Sequence, residues 1–415
     1  MQFCWCYERA GASGLSPLLP LKDALASILA SASPICPQQE LPLIDALGRV
    51  LAEDVVSPVA VPGDDNSAMD GYALRVAEAS RPLPVSQRIA AGSAAGVLAP
   101  GTAARIFTGA PVPVGADAEV MQENCRERNG LVEVLGPVEP GQNIRPRGQD
   151  IAADTVVLAR GRVLRPQDLG LLASIGLASV PVYRPLRVAV LSTGDELVEP
   201  GSAASLRSGQ LYNSNRYTLA GLLSALHMSF IDGGIVPDDA EATAAALKEA
   251  AANADCVITS GGVSVGEEDH VKNQVERLGR LDLWRLAIKP GKPLAFGRIC
   301  DTHFIGLPGN PASVFVTFCL VARPLLLSLQ GVAEAGPPAL YARAAFSISS
   351  PGSRQDYQRV TLANTERGLE ARRFANQSSG VLSSVSQSNA LAVIPPGAAV
   401  VEGDMVEVML LDLLA

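Results

Sequence analysis

The feature that most constrains the fold is a change of rhythm at Leu186. From there the apolar run LRVAVLS is followed by the helix-spaced SNRYTLAGLLSALH, the run SFIDGGIV, the helix-spaced DDAEATAAALKEAAANA, with Asp238 or Asp239 near its start, and the run DCVITS. Strands alternating with helices of this length indicate a central parallel-sheet α/β domain, expected over 185–332, whose ligands gather in loops beyond the carboxyl ends of the strands. The unit continues through LWRLAI, PLAFGR and THFIGLPGN into the helix PASVFVTFCLVARPLLLSL. Over 63–148, by contrast, glycine and proline cut every apolar run short, as in AARIFTGA and LVEVLGPV, which predicts a β-rich inserted domain. The flanking segments 16–62 and 149–184 are expected to close into one discontinuous N-terminal domain, with a helix in PLKDALASILASA and a short one in LPLIDALGRVLAEDVV. Strands in YARAAFSISS, YQRVTLA and DMVEVMLL predict a C-terminal β domain over 336–415. The expected fold class is therefore multidomain α/β and β.

Composition narrows the function. A length of 415 residues suits several domains, and 48% hydrophobic against 18% charged residues is a folding composition. Aromatics make up only 4%, too few for base-stacking grooves, and a net charge of -9 repels a nucleic-acid backbone or an anionic membrane. No nucleic-acid or membrane partner is expected. No run reaches the roughly 18 consecutive apolar residues of a membrane span, and MQFCWCYERAG lacks the order of a signal peptide. Cysteines 4, 6, 36, 125, 256, 300 and 319 show no paired metal spacing, which suits a cytoplasmic protein with free thiols. His227 and His303 sit in apolar segments, and His270 has no histidine or cysteine at zinc-ligand spacing.

Three loops of the α/β domain carry chemistry. TSGGVSVGEEDH follows the run DCVITS, and Gly261 and Gly262 are either a tight turn or bare backbone for an anion or a flat ring. Glu267, Glu268 and Asp269 behind them either cap the next helix or hold a hard cation. TGDE, Thr193 to Glu196, repeats the pattern after LRVAVLS, either as a polar turn or, since both loops follow predicted parallel strands, as a second border of one crevice. AIKPGKPLAFG places Lys289 and Lys292 around a stiff turn, as surface charge or as the positive half of a phosphate site. GLPGNP is a backbone cradle or simply a helix start. In the insert, NSAMDGYA, RIFTGA and NIRPRGQD each put Asp, Thr or Arg beside glycine, and as a set they suggest a second wall.

In their order and spread these segments, with LSTGDELVEPG, SNRYTLAGLL, GIVPDD and GLPGNPAS, resemble the molybdopterin molybdenumtransferase family of molybdenum cofactor synthesis, related to the C-terminal domain of gephyrin. The resemblance implies an elongated N-terminal domain with a β-rich insert, an α/β domain like the molybdopterin adenylyltransferases, and a C-terminal β domain. It implies insertion of molybdate into adenylylated molybdopterin with Mg²⁺, giving molybdenum cofactor and AMP. By motif position its functional groups fall on Asp70, Thr108, Glu196, Asp238, Asp269 and Lys289, with Arg285 where the family often has lysine. Thr193, Gly194, Asp195, Ser260, Gly261, Gly262, Ser264, Lys289, Lys292, Pro308, Gly309 and Asn310 are expected to bind the pterin substrate. Glu196 and Asp269 are the expected Mg²⁺ ligands. Gln149 and Asn213 depart from the family's usual Glu and Asp. A cytoplasmic homodimer is implied, with residues of both subunits in one cleft, and with transient contact to a molybdopterin adenylyltransferase or to cofactor-receiving enzymes.

Two other readings compete: adenylyl transfer onto molybdopterin, suggested by the α/β domain alone, and a noncatalytic gephyrin-like scaffold. The separate Asp70 and Thr108 motifs argue against the first, and the intact acidic and cationic motifs against the second. Asp269→Asn keeps the shape of the side chain and much of any helix cap while removing its charge. Folding and dimerisation should survive, and molybdate-dependent AMP release should fall at least about 100-fold. Near-normal turnover at every Mg²⁺ concentration would leave Asp269 a helix cap.

Overall fold

In the computed structural model, the residues described are 18–202, 205–263, 270–333, 336 and 339–414. Two compact units emerge, one from residues 1–39, 48–50 and 183–415 and the other from 40–47 and 51–182. We retain the finer four-part division as a proposal.

The larger unit holds the α/β sheet. Four strands lie side by side in parallel, in the order Ser229–Val236, Arg187–Thr193, Cys256–Ser260 and Thr302–Leu307. Arg187–Thr193, Cys256–Ser260 and Thr302–Leu307 are buried along most of their lengths, as strands covered on both sides are, whereas the edge strand Ser229–Val236 exposes Ser229, Asp232 and Gly233. The helices Ser214–Ala225, Ala240–Asn253 and His270–Leu278 fill the connections. Leu247, Val257, Val271, Val275 and Phe304 meet in one of the buried clusters. Asp239, not Asp238, caps the second helix, accepting from the Ala242 amide at 2.8 Å.

The sheet is parallel only in part. Pro293–Ile299 runs antiparallel to Thr302–Leu307, and Gly279–Arg285 runs antiparallel to Pro293–Ile299. Chain length explains this: Cys300 and Asp301 alone join the first pair, and a parallel connection needs a dozen or more residues. The long apolar helical run Pro311–Gln330 is extended and apolar enough to cross a membrane, but it is mostly buried inside the unit. A wide π-type turn at Phe318–Ala322 lies just before Pro324, where a regular helix would clash with the proline ring.

The C-terminal strands close on themselves. Gln355–Thr365 pairs with both Gly368–Arg373 and Ala390–Ile394, and Leu340–Ala344 and Met405–Leu410 complete the ring. Closure removes the exposed edges of a small sheet, and Ala342, Val360, Ala392 and Val408 fill its interior. Ile288–Lys289 joins this sheet beside Gln355–Asp356, tying the lysine turn to the barrel.

In the second unit the core joins Leu51 and Val55 to Leu164, Leu172 and Val182, residues from either side of the insert. The insert is a six-stranded sheet built from Gly71–Leu74, Leu83–Ile89, Ala103–Ile106, Ala118–Met121, Cys125–Arg128 and Leu131–Val134. The short helix expected in LPLIDALGRVLAEDVV is reduced to one tight turn at Leu43–Asp45. Gly48 has φ +73°, and Leu51 bridges Val182, so the segment is drawn out into extended pairing.

A partly buried ion cluster anchors the first strand of the α/β sheet. Asp255 accepts two hydrogen bonds from Arg184, at 2.9 and 3.0 Å, one from the Arg187 amide at 2.8 Å and one from Arg187 Nη2 at 3.1 Å. Burial by itself would raise its pKa, but the bonds from Arg184 and Arg187 outweigh that and hold the carboxyl below the usual range. Asp255→Ala should destabilise the protein by about 2 to 4 kcal/mol at neutral pH in urea unfolding. Because the folded pKa is depressed, this contribution is present above the ordinary aspartate range and is lost as the pH falls through the folded value.

Candidate functional site

Three adjacent parallel strands end at one level, since Ser192 is in register with Ser260, and Ser260 with Leu307. The loops after them therefore open side by side, as the sheet topology demands of a binding crevice. They border a cleft of about 880 Å³.

At the first loop, Gly194 has φ +135°, and a side chain there would come within 2.2 Å of Glu196 Oε2. Glycine thus lets the Glu196 carboxylate fold back beside the strand end. Asp195 turns the other way and accepts the Asp238 amide at 3.1 Å. It holds the loop that presents Asp238 and is not among the residues lining the cleft.

At the second loop, the Gly261 amide bonds Leu307 O at 3.0 Å, with φ +94° at Gly261 and +66° at Gly262. A Cβ on Gly262 would lie 2.5 Å from Val271 and 3.1 Å from the Thr193 hydroxyl. Packing requires these two glycines to be bare, and both still line the cleft. Gly309 differs, since its Cβ would meet nothing closer than 3.8 Å. Gly309 O accepts from Asn215 Nδ2 at 2.7 Å, and Asn310 begins the next helix without spending its side chain on a cap. Asn213, one of the departures from the family pattern, caps the Ser214–Ala225 helix by accepting from the Arg216 amide.

The lysine turn supplies the cations. Lys289 Nζ lies 3.0 Å from Asp356 Oδ2, and Gly291 packs so tightly on Thr317 that a Cβ would sit 2.1 Å from its hydroxyl. The turn is therefore held from both sides. An ammonium has three donors, so pairing with Asp356 leaves Lys289 two for an anion.

Thr193, Gly194, Glu196, Asp238, Ser260, Gly261, Gly262, Lys289, Lys292, Pro308, Gly309 and Asn310 all line this cleft. Arg285 ends an edge strand, in register with Pro293, and is not among the lining residues. Ser264 and Asp269, with Glu267 and Glu268, lie outside the described residues. The barrel adds residues that the motifs did not point to: Arg354, Gln377, Ser378 and Ser379. Arg354 donates to Ile288 O at 2.9 Å, and the Ala312 amide binds Ser379 O at 2.9 Å. The only trace of them in the sequence is a polar turn, PGSRQD, and an uncharged run, NQSSG, more than a hundred residues beyond the acidic loop at Glu196.

Asp70 and Thr108 belong to the other unit and bond to each other there. Asp70 Oδ1 accepts both the amide and the hydroxyl of Thr108, each at 2.8 Å, and these two bonds hold the carboxyl below its usual pKa. Ser67 exchanges backbone bonds with Gly109 and Ala110, and the Ala68 amide binds Asn143 O, so NSAMDGYA, RIFTGA and NIRPRGQD do come together. Arg105 stacks on Tyr72 and Phe107 and donates to Gly71 O at 2.9 Å.

Among the described residues no group of three His, Cys, Asp or Glu closes a metal cage. Glu196 and Asp238 nonetheless both line the cleft with hard oxygen donors. Mg²⁺ is commonly held by one or two carboxylates together with substrate phosphates and water, so this donor set fits it.

Residues 19–176 match the family described as MoeA N-terminal region (domain I and II), 189–328 the Probable molybdopterin binding domain, and 341–411 the MoeA C-terminal region (domain IV). The molybdopterin molybdenumtransferase of Haemophilus influenzae is 43% identical, over 85% of this chain and 89% of its own length. That of Nostoc sp. is 37% identical, over 92% and 91%. The crystal structure of the molybdopterin biosynthesis moeA protein of Pyrococcus horikoshii superposes with a TM-score of 0.84 at 31% identity, covering 95% of this chain and 100% of that one. With the same parts in the same order along nearly the whole chain, this protein belongs to the MoeA, or molybdopterin molybdenumtransferase, family.

Proposed function

We propose that the protein takes adenylylated molybdopterin and molybdate and releases molybdenum cofactor and AMP, acting in the cytoplasm. The observation that supports this most is the composition of the cleft: Glu196 and Asp238 in loops beyond strand ends, with Lys289, Lys292 and Arg354 lining the same space. A site that cleaves a phosphoanhydride needs charge neutralisation and alignment more than an unusual nucleophile.

The chain's own residues supply both. Lys289, steadied by Asp356, and Arg354, steadied by Ile288 O, keep donors for an oxyanion such as molybdate or the substrate phosphate. Ser378 and Ser379 line the same wall and add neutral donors. Thr193, Gly261, Gly262 and Gly309 offer backbone and a hydroxyl to the pterin and its phosphate. Glu196 and Asp238, with Asp269, would hold Mg²⁺, which when bound neutralises charge on the pyrophosphate. Asp70, fixed by Thr108, is a further functional carboxylate in this reading.

The direct test is AMP release from adenylylated molybdopterin with and without molybdate. Release should depend on molybdate, and Lys289→Met and Arg354→Met should each lower it by about 10- to 100-fold without unfolding the protein. ATP-dependent adenylylation of molybdopterin, with no molybdate-dependent AMP release, would replace this reading by the adenylyltransferase one. We also propose a homodimer, the common closed assembly for soluble chains. Light scattering should give twice the chain mass at working concentration, and a fully active monomer would overturn that.

A further inference from the structure

Beneath Asp70 lies a group that the proposed reaction does not use. Glu119, on the strand Ala118–Met121, is fully buried, and neither oxygen of its carboxyl has a hydrogen-bond partner. Its position is tightly defined. A Cβ on Gly71 would come within 2.3 Å of Glu119 Oε1 and 2.0 Å of Val120 O, so the residue after Asp70 has to be glycine to make room. The Glu119 amide binds Gln142 O at 3.0 Å, and its carbonyl accepts from Asn143 Nδ2 at 3.1 Å. The carboxyl is thus the floor of the turn that carries Asp70.

An ionised carboxylate there would be costly, because burial removes its hydration and no close hydrogen bond replaces it. Burial pushes its pKa up to about 7. The Ser67 hydroxyl and Met69 amide beside it favour the charged form, but that hydroxyl is already committed to Met69 O at 2.6 Å. The other charges acting on it are Asp70, which disfavours ionisation, and Arg105, which favours it. The Arg105 guanidinium is engaged with Gly71 O and Gln122. Cys125 also faces Glu119, and its own thiol, pushed up to about 11 by burial and by Glu119, stays neutral.

We propose that Glu119 is a positioning residue for Asp70: its uncharged carboxyl supports the Ser67–Gly71 turn and lets Asp70 alone carry the negative charge that is aligned on Thr108. Ionisation of Glu119 places a second negative charge under that turn, which repels Asp70 and loosens the Thr108 contact. The proposal rests on the reading of Asp70 as a functional carboxylate.

The test compares pH profiles of molybdate-dependent AMP release for the full-length wild type, Glu119→Gln, Glu119→Leu and Asp70→Asn. Glu119→Gln, the uncharged isostere, should match the wild type within about twofold at pH about 6. The wild-type rate should then drop about tenfold relative to Glu119→Gln by pH about 8.5, as Glu119 loses its proton. Glu119→Leu should also lack this limb, which keeps the test open if the glutamine variant folds poorly. Urea unfolding gives a second readout. A carboxyl pKa raised by folding adds stability that is complete below the unfolded glutamate range and is lost as pH rises through about 7, so wild-type stability should fall over that window relative to either variant. Superimposable pH–rate profiles together with an inactive Asp70→Asn would overturn the role of Glu119 alone. A fully active Asp70→Asn would remove the reading of Asp70, and the proposal with it.

Discussion

The common level at which three parallel strands stop is the constraint on which the cleft depends. The ladder sets Ser192, Ser260 and Leu307 side by side, and the bond from the Gly261 amide to Leu307 O extends it one residue into the loop. A slip of register would carry Glu196 and the Gly261–Gly262 turn away from each other. The anchoring of Arg187 on Asp255 at the opposite end of the first strand works in the same direction, since it fixes where that strand begins.

Charge is then distributed by packing rather than by composition. The protein carries 42 acids against 33 bases, yet the cleft collects Lys289, Lys292 and Arg354. The barrel makes this arrangement possible. Its closed ring places Asp356 in register with Lys289, so the lysine is oriented without being fully neutralised. In the other unit the same logic runs in reverse: Asp70 is exposed, bonded and charged, while Glu119 directly beneath it is buried and unbonded. Two neighbouring carboxyl groups are compatible when their environments push their pKa values apart.

Glycine serves different purposes at positions that look alike in the sequence. Gly261 and Gly262 are demanded by positive φ and by contact with Thr193 and Val271. Gly71 is demanded by a strand and a buried carboxyl, and Gly309 by no close neighbour, which leaves its backbone open to the cleft. Only the atoms packed around each glycine distinguish a structural turn from an exposed cradle.

Much was legible in the chain alone because it depends on local periodicity. The alternation of apolar runs and helical spacing from Leu186 determined the α/β sheet, and the glycines of TGDE and TSGG marked two of the loops that line the cleft. The order of the motifs determined the family resemblance. Tertiary structure decided what depends on pairing between distant segments. It turned Pro293–Ile299 antiparallel to Thr302–Leu307 because the Cys300–Asp301 link is too short for a crossover, and it reduced the expected helix to a tight turn at Leu43–Asp45, with Leu51 bridging Val182. It turned Asp195 from substrate to loop support, kept Arg285 out of the cleft lining, and brought in Arg354 and Ser378 from a barrel more than a hundred residues along the chain. Neither a partner across such a distance nor the burial that raises the Glu119 pKa leaves a local pattern, because both arise only when the strands close around them.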